Sequence, residues 1–450
     1  MKNSHLLPKP TMRLFFLISI LWTIPSAGQN TIYNHPASNS ETSLIRYYKG
    51  SVDIRVEQWT IDPSGNAARS CNYVNRATGD VYTFYFPSHY GIGDFEILGG
   101  NVYFCGENGT FAYWGYFNID SVFFLGGNVH YSKLPYSPYP YTQDYISGLG
   151  RLDVFEKSGH IHVVMLGHGY SSEGEGKVVA EAWQSSSGWK FWYSIEDDCI
   201  VTYRDIAVTD NYVVIVGHTC PNGTSPLKHW LLHYNRPTAA TADKSIFEIM
   251  GGVVPSNPAN VPVHTTDNSI FSPQNANMFI TKTQSDGFAT VCTESGGYCV
   301  VSLYSSPTIN PYDRVEFSDG NNFMSEIAYN DYVNNLCLIK GWNVLYRIGV
   351  SLPYVEKVTT DMYHWISVDN IPGTNHFTLS GSEWDFSMAK QWLFDVNTTN
   401  DCIQKEEVNK QKLSNTQIES NLQQPINEYG VNWLQYEAKP IRSNMVIKCR

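Results

Sequence analysis

The chain has 450 residues, 42% of them hydrophobic, 14% aromatic and only 16% charged, with a formal net charge of −12. That profile argues against a disordered chain, which lacks the apolar surface to build a core. It also argues against a nucleic-acid partner, because phosphate binding needs a basic face and no Lys/Arg cluster follows the N-terminus. The polar share comes from Asn, Ser, Thr, Gly and Tyr, a mixture that favours strands and turns.

Leu14–Ile24 is an apolar run preceded by Lys9 and Arg13 and followed by Pro25-Ser26-Ala27-Gly28. It is short for a membrane span and reads as a signal peptide over residues 1–28, cleaved before Gln29. The mature chain is therefore expected to carry no transmembrane segment and to be secreted, periplasmic or at the cell surface. The nine cysteines suit an oxidising compartment. Cys292 with Cys299, Cys199 with Cys220, and Cys402 with Cys449 are candidate pairs. Cys105 and Cys337 lie in apolar strand centres, where a thiol behaves as a small hydrophobe.

After a lead segment at 29–50, the chain repeats itself. The unit is an apolar strand, a turn, a second apolar strand ending in Gly, then an aromatic-rich third strand. Residues 51–85 (SVDIRVEQW, then DVYTFYF) hold one pair of strands. The unit then reads DFEILGGNVYFCG at Asp94–Gly106 with FAYWGYF, and DVFEKSGHIHVVMLG at Asp153–Gly167 with VVAEAW. It continues as DIAVTDNYVVIVG at Asp205–Gly217 with HWLLHY, and EIAYNDYVNNLCLIKG at Glu326–Gly341 with VLYRI. A degenerate copy runs from Trp365 to Gly381, and Phe288–Cys292 with Tyr298–Tyr304 makes a hairpin lacking the Gly. Residues 398–430 are polar and Asn/Gln-rich, and read as an excursion or short helix. The last stretch to 450 reads again as strands, able to close a ring.

These copies, DIAVTDNYVVIVG above all, resemble the repeats of divergent six- or seven-bladed β-propellers of exported bacterial proteins. The resemblance implies an all-β fold of four-stranded blades over residues 51–397. A tandem of β-sandwiches or a β-solenoid is the alternative, though the repeat is long and irregular for a solenoid.

On a propeller, Asp94, Asp153, Asp205 and Glu326 would each open an inner strand beside the central channel. Four carboxylates there suit Ca²⁺ or another cation; alternatively each Asp accepts amides in its own turn. No other cofactor is implied. Glu107, His168, His218 and Trp342 each follow a strand-ending Gly and are candidates for ligand contact, and the two histidines are also candidates for metal ligation or acid–base work. They are expected on the same face as the acids. The segment Tyr131–Tyr145 packs five tyrosines and three prolines into fifteen residues. Its Tyr136, Tyr139 and Tyr141 suit stacking on a glycan or a protein ligand.

No nucleophile elbow, zinc-protease helix, P-loop or dinucleotide fingerprint occurs, so no catalytic residue is assigned. The reading is a recognition module for a glycan or protein ligand. A propeller-fold carbohydrate hydrolase or lyase, and a structural envelope protein, are the alternatives.

Overall fold

The structure is a computed structural model. It describes residues between 31 and 449, leaving out 36–42, 135–144, 220–228, 236–240, 250–276, 305–310, 319–325, 384–388, 398–402 and loop stretches of up to four residues. The described strands form seven antiparallel sheets of five strands each.

Strand β1 (Thr31–His35) precedes blade 1, which holds β2 (Ser43–Lys49), β3 (Val52–Ile61), β4 (Ala67–Asn75) and β5 (Asp80–Tyr85). Blade 2 holds β6 (Gly91–Leu98), β7 (Asn101–Glu107), β8 (Ala112–Asn118) and β9 (Asn128–Lys133), with the short helix α1 (Ile119–Phe124) before β9. Blade 3 holds β10 (Tyr145–Lys157), β11 (His160–Ser171), β12 (Gly174–Ser185) and β13 (Gly188–Glu196). Blade 4 holds β14 (Val201–Val208), β15 (Tyr212–Thr219), β16 (His229–Asn235) and β17 (Thr241–Ile249). Blade 5 holds β18 (Asn277–Lys282), β19 (Phe288–Glu294), β20 (Tyr298–Tyr304) and β21 (Pro311–Ser318). Blade 6 holds β22 (Glu326–Asn330), β23 (Asn335–Ile339), β24 (Val344–Gly349) and β25 (Tyr354–Thr360). Blade 7 holds β26 (Tyr363–Asn370), β27 (His376–Glu383) and β28 (Ala389–Asp395), and takes β1 as its fourth strand.

The first strand of each blade packs against those of both neighbours, closing the ring β2–β6–β10–β14–β18–β22–β26 back to β2. The molecule is therefore a β-propeller, and its seven blades resolve the expectation of six or seven. The ring is closed by β1, from the segment read as a lead, and not by the C-terminal strands. An N-terminal strand completing the last blade joins the ring's ends through a backbone ladder.

Each blade has five strands rather than four, because the C-terminal segment adds one to every outer edge. β29 (Ile403–Asn409) lies on blade 6, β30 (Gln411–Lys412) on blade 5 and β31 (Gln417–Pro425) on blade 4. β32 (Asn427–Gly430) lies on blade 3, β33 (Leu434–Glu437) on blade 2, β34 (Ile441–Asn444) on blade 1 and β35 (Val446–Cys449) on blade 7. The stretch read as an excursion or helix is thus a belt of strands. Its polar sequence misleads because an outermost strand needs only a ladder partner, not a buried face.

The apolar runs inside the blades follow from burial on both faces. In β11, Val163 and Met165 face the cluster between blades 2 and 3, while Val164 and Leu166 face that between blades 3 and 4. Leu336 and Leu338 of β23 likewise face blade 5, and Cys337 and Ile339 face blade 7. Cys105 and Cys337 are fully buried and unbonded, as their strand positions suggested. Cys292 stands opposite Val300, whereas Cys299 stands opposite Thr293. The Cys292 side chain lies outside the described residues.

The recurring glycine is a steric requirement. Gly106, Gly167, Gly217 and Gly381 pair with Ile92, Leu149, Tyr203 and Trp365, each followed by a bulge in the inner strand. A Cβ on Gly106 would collide with the carbonyl oxygen of Gly91, and one on Gly167 with that of Gly148. The bulge turns the inner strand towards its partner, and only glycine leaves room. Gly341 lies outside the described residues.

Candidate functional site at the ring axis

Three of the four sequence-selected acids sit within the inner strands rather than opening them. Asp94 is preceded by Gly91-Ile92-Gly93 in β6, Asp153 by eight residues of β10, and Asp205 by four of β14; Glu326 alone opens its strand. Counted from the bulges, Asp94 and Asp205 lie at one level and Asp153 two residues further along. An even offset keeps the side chain on the same face, so unequal acid-to-Gly spacings still deliver every carboxylate to the channel.

Their oxygens tie the blades together. Asp94 accepts the Phe95 amide of its own strand at 2.8 Å and the Leu152 amide of blade 3 at 3.2 Å. Asp153 accepts the Val154 amide at 2.7 Å and the Val208 amide of blade 4 at 2.6 Å. Asp205 accepts Ile206 at 2.9 Å and Ile280 of blade 5 at 3.0 Å. Glu326 accepts Val368 of blade 7 at 2.9 Å. Asp369, hidden in the degenerate copy, continues the series with Asn370 at 2.8 Å and Tyr47 of blade 1 at 2.7 Å. Each acid is a clasp between neighbouring inner strands.

The acids also share a pocket on the axis. It encloses about 240 Å³ and is lined by seven carboxyl side chains (Asp94, Glu96, Asp153, Asp205, Glu326, Asp331, Asp369) against three basic ones (Arg46, Arg151, Lys282). Arg46 of β2 is the hub. Its guanidinium reaches Glu96 at 2.7 Å, Glu326 at 2.9 Å and Asp94 at 3.1 Å, joining blades 1, 2 and 6. Burial alone would lower its pKa, but Glu326, Glu96 and Asp94 more than reverse this and hold it protonated. Lys282 meets Asp153 at 2.6 Å.

Four carboxyls remain in excess of the cations, and burial raises their proton affinity. Asp94 is pushed up to about 7 by burial, against the pull of Arg46. Asp369 reaches about 7 and Asp205 about 6 for the same reason, opposed by Arg46 and Arg151 respectively. Glu96 also moves up through burial. Near neutral pH the pocket therefore holds exchangeable protons, which an incoming cation would displace.

The remaining selected residues lie elsewhere. Glu107 and His168 approach to 3.7 Å across Gly148, near the start of the inner strands. They flank Gly91 and Gly148, three residues before Asp94 and Arg151. That separation is roughly 10 Å at ~3.3 Å per residue, so they do not join the acids as expected. Burial raises the Glu107 carboxyl. His218 pairs through its backbone with Thr202 and His229, and its side chain lies outside the described residues. So do Trp342, Tyr136, Tyr139 and Tyr141.

His162 contacts Glu181 at 2.7 Å and stacks on Phe155. Among the described residues, no three His, Cys, Asp or Glu side chains are grouped to hold a metal ion. No described helix is long and apolar enough to cross a membrane.

No family model matches the chain, and no curated protein matches it by sequence. In solved structures, the chain is similar to a prolyl endopeptidase at 11% identity and a TM-score of 0.41, over 84% of this chain and 51% of that one. It thus spans about half that protein's length. It is also similar to the β-propeller domain of the Trilobed protease from Pyrococcus furiosus, described as having an open velcro topology. The identity is 6% and the TM-score 0.37, over 81% of this chain and 98% of that one. The extracellular domains 1–2 of Drosophila Semaphorin 1a match at 8% and 0.25, over 81% and 90%. Likenesses this distant carry no functional argument; the assignment to the propellers rests on the ring of sheets.

Proposed function

We propose that the protein is an exported binding module that takes a cationic group of a protein ligand, an arginine or lysine side chain, into the axial pocket. The observation that carries this reading is the surplus of carboxyl over basic side chains around the pocket. A guanidinium or ammonium group is the natural complement, because charge-assisted hydrogen bonds in a desolvated pocket are strong and directional. Export rests on the N-terminal signal, and a glycan ligand would instead be read by the Tyr-rich segment Tyr131–Tyr145.

Calorimetric titration with arginine amide, an Arg/Lys-rich peptide, Ca²⁺ and a neutral oligosaccharide tests the reading. The arginine compounds are expected to bind, and Asp369→Asn to weaken them about tenfold. The Asn carbonyl keeps an acceptor for the Tyr47 amide, so the variant should fold. Binding of the oligosaccharide alone would transfer the function to the Tyr loop. Binding of Ca²⁺ alone would make the pocket a metal site, and no binding at all would leave the acids as clasps.

A further inference from the structure

The three basic side chains of the axial pocket are not equivalent. Arg46 and Arg151 are only 9% and 8% exposed, and Arg46 is held by three carboxyls from two blades. Lys282 is 43% exposed. Among the described residues its ammonium meets only the Asp153 carboxyl at 2.6 Å and the Val154 carbonyl at 3.4 Å. An ion pair so open to water contributes little to stability, because solvent and salt compete for both partners. A lysine also holds its partner as a point charge on a flexible stem, without the fork that fixes an arginine.

Lys282 is the last residue of β18 in blade 5, whereas Asp153 stands on β10 of blade 3. The ammonium therefore reaches past blade 4, whose Val208 amide is held by the other oxygen of Asp153. Burial raises the Glu96 carboxyl and Arg46 opposes it; beyond these, the charges of Asp153 and Lys282 act on it in opposite senses. Asp369, raised by burial against the pull of Arg46, is raised further by Glu96. Asp153, Glu96 and Asp369 thus sense one another along the pocket, and Lys282 is the most exposed cation beside them. An ammonium on Asp153 is chemically the same guest as a ligand's lysine or arginine.

On the reading that the pocket takes a cation, we propose that Lys282 is its built-in competitor, seated on Asp153 until a ligand's basic side chain displaces it. Entry of the ligand then swings Lys282 out to solvent, one cation replacing another. The apparent affinity is lowered according to the fraction of time that Lys282 is seated. A neutral ligand has no charge with which to displace it.

Calorimetric titration of the full chain with a lysine-free, arginine-rich peptide compares the wild type with Lys282→Met, which keeps the stem and loses the charge. Binding is expected to tighten about tenfold, the factor for a seat occupied about nine-tenths of the time. The gain should vanish in an Asp153→Asn background, where no carboxylate is left to be freed and the Asn oxygen still serves the Val208 amide. A gain that persists there is the general effect of removing a positive charge, and overturns the proposal. Labelling of Lys282 by an amine-reactive reagent, read by mass spectrometry on the wild type, decides the matter should a variant not fold. Labelling should rise several-fold when the peptide is bound, and unchanged or reduced labelling overturns the proposal. Wild-type binding that Lys282→Met leaves unaltered overturns it while sparing the pocket's cation-binding role. Binding by neither protein overturns both.

Discussion

Arg46→Ala is expected to lower stability by about 3–5 kcal/mol at pH 8, since it leaves buried carboxylates without their partner. Arg46 is held among Glu96, Glu326 and Asp94 at 2.7–3.1 Å, and its side chain is only 9% exposed. Without it, like charges from blades 2 and 6 face one another across the axis and take up protons to relieve the repulsion. The folded-state pKa values of Asp94 and Glu96, already raised by burial, then rise further above the unfolded ones. Between those values the native state binds more protons than the unfolded state, so stability falls as pH rises.

The loss is therefore greatest above the raised values and shrinks as pH drops towards the ordinary carboxylate range. The wild type carries the same sign in milder form. Asp94 and Asp369 at about 7 and Asp205 at about 6 make it less stable as pH climbs through that window. Denaturant unfolding at pH 5 and pH 8 checks both statements. An equal loss at the two pH values would show that Arg46 contributes packing rather than charge. Arg46→Lys, which keeps a charge but loses the fork, should fall between.

Asp53→Ala is expected to cost a similar 3–5 kcal/mol by unpairing buried groups at the junction of blades 1 and 7. Asp53 of β3 is fully buried. It meets Arg76 at 3.0 Å, Thr378 of β27 at 3.2 Å, and the amide of Gln391 in β28. Burial raises its carboxyl against the pull of Arg76. Alanine would strand the Arg76 charge and leave Gln391 and Thr378 short of an acceptor. Asp53→Asn should cost less, because it keeps an oxygen for both. Thermal and denaturant melts of the two variants measure the difference. A loss below about 1 kcal/mol for Ala would mean the ladders of β1 and the belt hold this junction alone.

The fold was legible where the sequence carries a steric or periodic demand. Gly106 and Gly167 recur because the inner-strand bulge leaves no room for a Cβ, and Gly217 and Gly381 stand beside the same bulge. Runs such as HVVMLG are continuous because both faces of a blade are buried. Asp94, Asp153 and Asp205 could be picked out by their spacing to the glycines, but their inter-blade clasps could not, because the amide partners belong to the next blade.

What escaped notice lacks a local signal. Strands β17 and β18 fall in no copy of the repeat, and β29 to β32 are polar because they need only a ladder. Strand β1 shows its role only beside β28, hundreds of residues away. Arg46 stands in the lead segment, 280 positions from Glu326, and nothing near it announces a counter-ion. Asp369 stands twelve residues before Gly381, the spacing of Asp94 to Gly106 and of Asp205 to Gly217, and was missed because that copy was read as opening at Trp365.

A cation that enters the axial pocket should displace protons from its buried carboxyls. Calorimetric titration of the protein with an arginine-rich peptide at pH 7, repeated in buffers of different ionisation enthalpy, reads that displacement directly. Because Asp94 and Asp369 titrate near about 7, a bound guanidinium should lower their pKa values. The account predicts net proton release on binding, diminished in Asp369→Asn. Binding without proton release would place the peptide outside the pocket and contradict it.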